Sequence, residues 1–103
     1  MKITENKGFQ MTFENGLTIS CQMGSNNYCS NRDFYRGFQA EMRQSITECD
    51  NCEIAIWDED NRRITGEIFK EMGMESTEDT VAGWVDTMTV AKVIAYVSSK
   101  SEF

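Results

Sequence analysis

From Phe9 to Met23 apolar and polar residues alternate on either side of an Asn-Gly pair, and this stretch restricts the fold more than any other. Phe9, Met11 and Phe13 alternate with Gln10, Thr12 and Glu14. Leu17, Ile19, Cys21 and Met23 alternate with Thr18, Ser20 and Gln22. A period of two belongs to strands with one buried face. Loop length then decides the register. A two-residue Asn15-Gly16 loop pairs Phe13 with Thr18 and sends the two apolar rows to opposite faces. A three-residue loop, Glu14-Asn15-Gly16, pairs Phe13 with Leu17, Met11 with Ile19 and Phe9 with Cys21, all on one face. Such a loop needs a left-handed residue at its last position, and Gly16 stands there. The pattern therefore predicts a three-residue hairpin with a glycine bulge.

Residues 24–27, Gly-Ser-Asn-Asn, form turns readily. Asn31 or Asp33 can cap a helix running to about Ile46, with Phe34, Tyr35, Phe38, Met42 and Ile46 as its apolar stripe and Arg32, Arg36 and Arg43 on another face. Residues 52–57 read as a strand that is apolar on both faces, which suits a central position. Residues 58–61 read as a turn and 62–65 could return as a short antiparallel strand, while 66–73 is ambiguous, its Ile68, Phe69 and Met72 permitting a short helix ended by Gly73. A polar loop over 75–79 precedes a strand over 80–85. Trp57 and Trp84 lie in strand-like runs and read as core, the alternative being that an exposed one anchors an interface. The last helix starts at a cap on Asp86 or Thr87. Its Val90, Val93, Ile94 and Val97 recur at helical spacing, and Ala91 and Ala95 are expected to widen the buried stripe. The order is β-β-α-β-β-β-α. It describes an α+β fold, a small antiparallel sheet packed by two helices, and 103 residues fit one globular domain, 1–103.

The chain has no histidine. That removes the commonest general base, the usual triad partner and the commonest nitrogen ligand of zinc. Carboxylate pairs such as Glu53 with Asp58 remain available for acid–base work, but acids are scattered through the middle of the chain, so the sequence points to a binding protein rather than an enzyme, with no catalytic residues. No apolar run approaches the ~18 residues of a membrane span. The N-terminus lacks the apolar core of a signal peptide, so a cytoplasmic location is expected.

Net charge is −7 and uneven: residues 44–86 hold twelve acidic and three basic side chains, the remainder five acidic and seven basic. An acidic middle disfavours direct contact with nucleic acid or an anionic membrane and suits a partner protein with a basic surface. The interface candidates are Asp58, Glu59, Asp60, Glu75, Glu78 and Asp79; the plain alternative is a solvated face that keeps the chain soluble. The 58–61 turn lacks the residue order of an EF-hand loop, because Arg62 stands where a further ligand belongs.

Segment 26–32 offers a different chemistry. Asn26, Asn27, Tyr28, Asn31 and Arg32, with Arg36 beyond them, combine hydrogen-bonding groups, an aromatic face and positive charge before a predicted helix N-terminus. They are the candidates for a small anionic ligand such as a nucleotide signal; the alternative is a capped turn followed by a solvated basic stripe. Cys49 and Cys52 form a Cys-x-x-Cys, and with Cys21 and Cys29 they are the residues that would hold a zinc ion if any do. Cys21 sits on the apolar side of its strand, and the spacing between Cys21 and Cys29 is not that of a zinc knuckle. A redox pair at Cys49 and Cys52 is a lesser alternative; the four are read as buried or incidental thiols, and no cofactor is expected.

Three segments in this order, residues 8–16 running on to 27–31 (Gly-Phe-Gln-Met-Thr-Phe-Glu-Asn-Gly and Asn-Tyr-Cys-Ser-Asn), 53–58 (Glu-Ile-Ala-Ile-Trp-Asp) and 81–85 (Val-Ala-Gly-Trp-Val), resemble a family of small uncharacterised proteins encoded by tailed bacteriophages. The chain departs from that pattern in a longer stretch between Thr65 and Thr80 and in Cys21, Cys49 and Cys52. The resemblance implies the host-cell cytoplasm and an accessory role, such as inhibition of a host defence protein by binding. It carries over no functional residue. Two readings follow: an inhibitor that meets a basic host protein through the acidic segment, and a sequestering protein that holds a small anionic ligand on segment 26–32. An exposed hairpin edge could also support a homodimer.

Overall fold

The computed structural model describes residues 1–5, 7–32, 47–75 and 80–101. Within them five strands form one sheet in chain order: β1 (Lys2–Thr4), β2 (Gly8–Thr12), β3 (Thr18–Gln22), β4 (Asn51–Trp57) and β5 (Ala82–Asp86). Every neighbouring pair is antiparallel. Two helices are α1 (Thr65–Glu71) and α2 (Thr87–Ser99). The fold is α+β, as the sequence implies. The predicted helix from residue 31 or 33 to 46 falls outside the described residues.

The hairpin has the register that the shared apolar face requires. Met11 lies opposite Ile19 and Phe9 opposite Cys21. Phe13 N donates to Leu17 O at 2.9 Å and Gly16 N to Phe13 O at 3.0 Å, with Gly16 at φ 85°. Asn15 does more than turn the chain. Its Oδ1 accepts from Leu17 N at 3.0 Å, while its Nδ2 donates to Val97 O and Lys100 O, both at 2.8 Å. The hairpin thereby bonds two carbonyls at the C-terminus of α2, of which Val97 O also accepts from Lys100 N at 3.4 Å. Asn15→Ala should cost about 1–2 kcal/mol in urea unfolding. An unchanged midpoint would show that water replaces the amide at no cost.

Several expectations need correction. The hairpin is not an edge, because β1 pairs with β2 and becomes the edge itself, with Ile3 almost fully exposed. Three residues carry too little periodicity to announce such a strand. The polar row of β3 is not solvated either: Thr18, Ser20 and Gln22 are buried. β3 is paired along both edges, and its buried polar groups find partners. Thr18 shares a hydrogen bond with Thr12 at 2.8 Å, Gln22 Nε2 donates to Ser20 Oγ at 2.9 Å, and Thr4 Oγ1 donates to Gln22 Oε1. Residues 62–65 form no strand. A single bridge joins Arg63 to Trp57, Ile64 N donates to Ile56 O, and Thr65 already begins α1.

β4 is central, as its two apolar faces predict, lying between β3 and β5. Its Cys52, Ile54 and Ile56 join Ile19, Cys21, Ile64, Ile68, Phe69, Val93 and Val97 in the core. Each aliphatic side chain fully buried there stabilises the fold by roughly 1.5–3 kcal/mol. Helix α1 ends in a Schellman motif, with Gly73 at φ 77°, Gly73 N donating to Lys70 O and Met74 N to Phe69 O. Val93 and Val97 of α2 are fully buried, with Val90 and Ile94 packed beside them. Ala91 and Ala95, expected to widen this stripe, are exposed. At about 100° per residue they lie more than ~100° from the centre of the stripe.

The carboxylate of Asp86 caps α2 by accepting from Thr89 N at 2.8 Å, and this bond holds its pKa below the usual range. Asp58 is lowered by backbone N–H donation from Arg62 and Asp60, and Glu71 by Lys100 and Tyr96. Groups depressed in the folded state contribute stability that is present above the unfolded carboxylate range and lost as pH falls through their folded values. The melting temperature should therefore drop once pH is taken below about 4. Asp86→Asn, which keeps a capping oxygen but cannot titrate, should flatten that slope. An equally steep slope in the variant would remove Asp86 from the account.

Candidate functional site

β3 and β4 run antiparallel, so the sheet has two distinct ends. One carries the 14–16 hairpin loop and the 58–61 turn. The other carries segment 24–32 and the start of β4.

At the second end, polar side chains close the loop onto the sheet. Asn27 is buried, its Oδ1 accepting from Gly24 N at 2.8 Å and its Nδ2 donating to Glu53 Oε1 at 3.3 Å. The other Glu53 oxygen accepts from Tyr28 N at 2.8 Å. Asn51 accepts from Ser30 N at 2.7 Å and donates to Ser30 Oγ at 2.8 Å. Asn31 Nδ2 donates to Met23 O and Glu48 O. The side chains of Asn27 and Asn31, taken from sequence as ligand groups, thus bond to the loop's own backbone, to Glu53 of β4 and to the backbone at Met23 and Glu48. The amides of Asn26 and Asn27 also shape the turn, Asn27 N donating to Gly24 O and Asn26 O accepting from Arg32 Nη1 at 3.4 Å. Arg36 lies outside the described residues.

What this end presents outward is aromatic. Tyr28 and Trp84 face each other with ring centroids 5.7 Å apart and planes at 39°. The Arg32 guanidinium carbon stands 4.3 Å from the Tyr28 ring centroid. Trp84 is 56% exposed and Tyr28 39%. Trp84 is therefore not core, contrary to the sequence expectation, and Trp57 is half-buried with Arg63 over its ring at 4.6 Å. The cause lies in the backbone. Cys52 pairs with Val85 and Ile54 with Ala82, so Gly83 and Trp84 together face the single residue Glu53. The extra residue re-aims the side chain. Trp84 adopts φ 51°, uncommon for a bulky residue, and its N–H donates to Tyr28 O at 2.8 Å. Gly83 makes the approach possible: a Cβ there would stand 2.7 Å from Tyr28 Cβ. A glycine inside a strand-like run is the one sequence signal that could have revealed the bulge and the outward tryptophan.

The acidic candidates divide. Asp58 is committed to its turn, Oδ1 accepting from Asp60 N and Arg62 N, both at 2.9 Å, and Oδ2 from Arg62 Nε at 3.3 Å. Glu59 and Asp60 are exposed at the hairpin end beside exposed Glu14, with the Glu59 carboxylate against Gly16. Glu75 is exposed further along, and Glu78 and Asp79 lie outside the described residues. Glu53 and Asp58 are not brought together. They belong to opposite ends of β4, roughly 16 Å apart at the ~3.3 Å rise of a strand.

The Cys-x-x-Cys is split. The Cys52 thiol bonds to Cys21 in the core, and this contact together with burial pushes the Cys52 pKa up. The Cys29 thiol instead donates to Gly24 O at 3.5 Å, with the Cys49 side chain acting on it. All four are free thiols. Among the described residues no group of three or more His, Cys, Asp or Glu side chains is placed to hold a metal ion. No described helix is long and apolar enough to cross a membrane.

Comparison of the chain with protein-family models, with curated proteins and with solved structures finds no match.

Proposed function

We propose that this chain acts by binding a partner protein, with Tyr28, Arg32 and Trp84 at the centre of the contact. The carrying observation is the solvent-facing Trp84, held out by a bulge at a left-handed φ with its ring tilted against Tyr28. Bulky residues in sparsely populated backbone regions persist where the surroundings enforce them, and such positions cluster at ligand clamps and interfaces. Trp, Tyr and Arg are also the side chains that dominate interface energetics. Glu59, Asp60 and Glu14 at the far end of the sheet supply a negative field that speeds encounter with a basic surface rather than the close contacts. In this reading the chain is an accessory inhibitor of a host defence protein, the role that the bacteriophage resemblance implies.

The same patch supports a second reading. Two exposed rings and a guanidinium suit a planar anionic ligand such as a nucleotide. The protein reading is preferred because the side-chain amides of Asn27 and Asn31 are occupied by bonds within the protein.

Affinity capture from bacterial lysate, followed by titration of the captured protein, separates the readings. Tyr28→Ala and Trp84→Ala should each weaken binding by more than tenfold. Charge reversal at Glu59 and Asp60 should slow association and reduce its salt dependence. Equal affinity of the wild type and the Tyr28/Trp84 double variant would sink the assignment. A nucleotide that raises the melting temperature of wild type but not of Trp84→Ala would move it to the second reading.

A further inference from the structure

We infer that Cys29 and Cys49 form a peroxide-responsive thiol pair, which closes a disulfide joining segment 24–32 to the start of β4. The inference stands apart from the recognition surface proposed above. Three clamps tie the two backbones together, the first from Tyr28 N to Glu53 Oε2 at 2.8 Å. Asn31 Nδ2 donates to Glu48 O at 3.1 Å, and Ser30 and Asn51 exchange two hydrogen bonds at 2.7 and 2.8 Å. Cys29 lies between Tyr28 and Ser30 and Cys49 between Glu48 and Asn51, and the Cys49 side chain acts on the Cys29 thiol. The sequence motif suggests a different partner for Cys49, namely Cys52. Cys52, however, is part of β4, 3% exposed, with its thiol turned to Cys21 in the core.

Exposure assigns the two roles. Cys49 is partly exposed, whereas Cys29 is 1% exposed and its thiol is pushed up to about 11 by burial. Cys49 is the sulfur that a small hydroperoxide can reach. Its thiolate attacks the peroxide, the O–O bond breaks, a sulfenic acid forms and the distal oxygen leaves as water or alcohol. The Cys29 sulfur then attacks the sulfenic sulfur. The S–S bond forms, the S–O bond breaks, and the Cys29 proton leaves with the expelled hydroxide as a second water. The two thiols lose two electrons in all, and the peroxide gains them. The product joins residues 29 and 49 without a change in the core.

The test is mild hydrogen peroxide treatment of the folded, reduced chain, quenching, and alkylation in denaturant. Trypsin leaves Cys21 with Cys29 and Cys49 with Cys52, so the bond is mapped with chymotrypsin at Tyr28 and Asp-N at Asp50. Half of the four thiols should be lost, with one intramolecular bond between Cys29 and Cys49. Cys49→Ser should slow thiol loss by about tenfold or more, because the remaining sulfurs are buried. Cys52→Ala should leave the same bond in place. A Cys49–Cys52 bond in the wild type, bonds between chains, or retention of all four thiols would each overturn the inference. The wild-type map decides the matter even if a serine variant folds poorly.

Discussion

Gly8→Ala is expected to lower the stability of the fold by roughly 3 kcal/mol and its melting temperature by more than about 10 °C. A Cβ at this position would stand 2.0 Å from the carbonyl oxygen of Cys21 and 2.8 Å from the Cα of Gln22. Both are backbone atoms of β3, which lies between β2 and β4 and has little freedom to withdraw. The absent Cβ also leaves room for the Gln22 side chain, whose Oε1 would lie 2.7 Å from it. From there Gln22 reaches across β2 to accept from Thr4, so one glycine lets an interior strand hold the edge strand. Alanine would force β2 off β3 at Gly8–Gln22 or expel the buried amide, and either outcome loosens β1. The loss should appear in urea unfolding and as faster hydrogen exchange in residues 2–4. A melting temperature within about 3 °C of wild type would show that the ladder yields more easily than these contacts imply.

Gly8 also shows where the sequence is legible and where it is not. The hairpin register follows from Phe9 to Met23 alone, because only one loop length puts every apolar residue on one side. Central β4 and the cap of α2 are legible for the same reason: strand period and capping chemistry are local. Edge strand β1 is not, since pairing partners supply what three residues lack. Nor is the burial of Thr18, Ser20 and Gln22, whose partners are Thr12 and Thr4 across the sheet and, for Ser20, Gln22 itself. The candidate site divides likewise. Tyr28 and Arg32 stand out by residue type and position, and Asn27 and Asn31 stand out too, but only coordinates reveal that their amides bond inward. Trp84 reads as core because its neighbours alternate as a strand does. A single extra residue opposite Glu53 reverses its direction, and a bulge is a property of two strands rather than one.

Thr65→Val should cost roughly 2–3 kcal/mol, although the two side chains are nearly the same size. Thr65 is 1% exposed and opens α1 without a side-chain cap on Ile64 before it. Its hydroxyl does the work of a missing strand residue. β5 pairs with β4 only as far as Ala82 opposite Ile54, so the Ile56 N–H lies beyond the ladder. Thr65 Oγ1 accepts from that N–H at 2.9 Å and donates to Thr80 O at 2.7 Å. The hydroxyl thereby joins β4 to the chain entering β5. Valine fills the same space and leaves a buried N–H without its acceptor, which costs far more than the loss of an average hydrogen bond. Thr65→Ser, which keeps the oxygen and removes a methyl, should cost about 1 kcal/mol or less. Chemical unfolding of both variants separates hydroxyl from packing: equal losses would assign the position to packing alone. Hydrogen exchange at Ile56 gives the local answer, since its amide should lose protection in the valine variant and keep it in the serine variant. Because Thr80 leads directly into β5, the valine variant should also loosen the strand that carries Trp84. Partner affinity should then fall although no residue of the aromatic patch has changed.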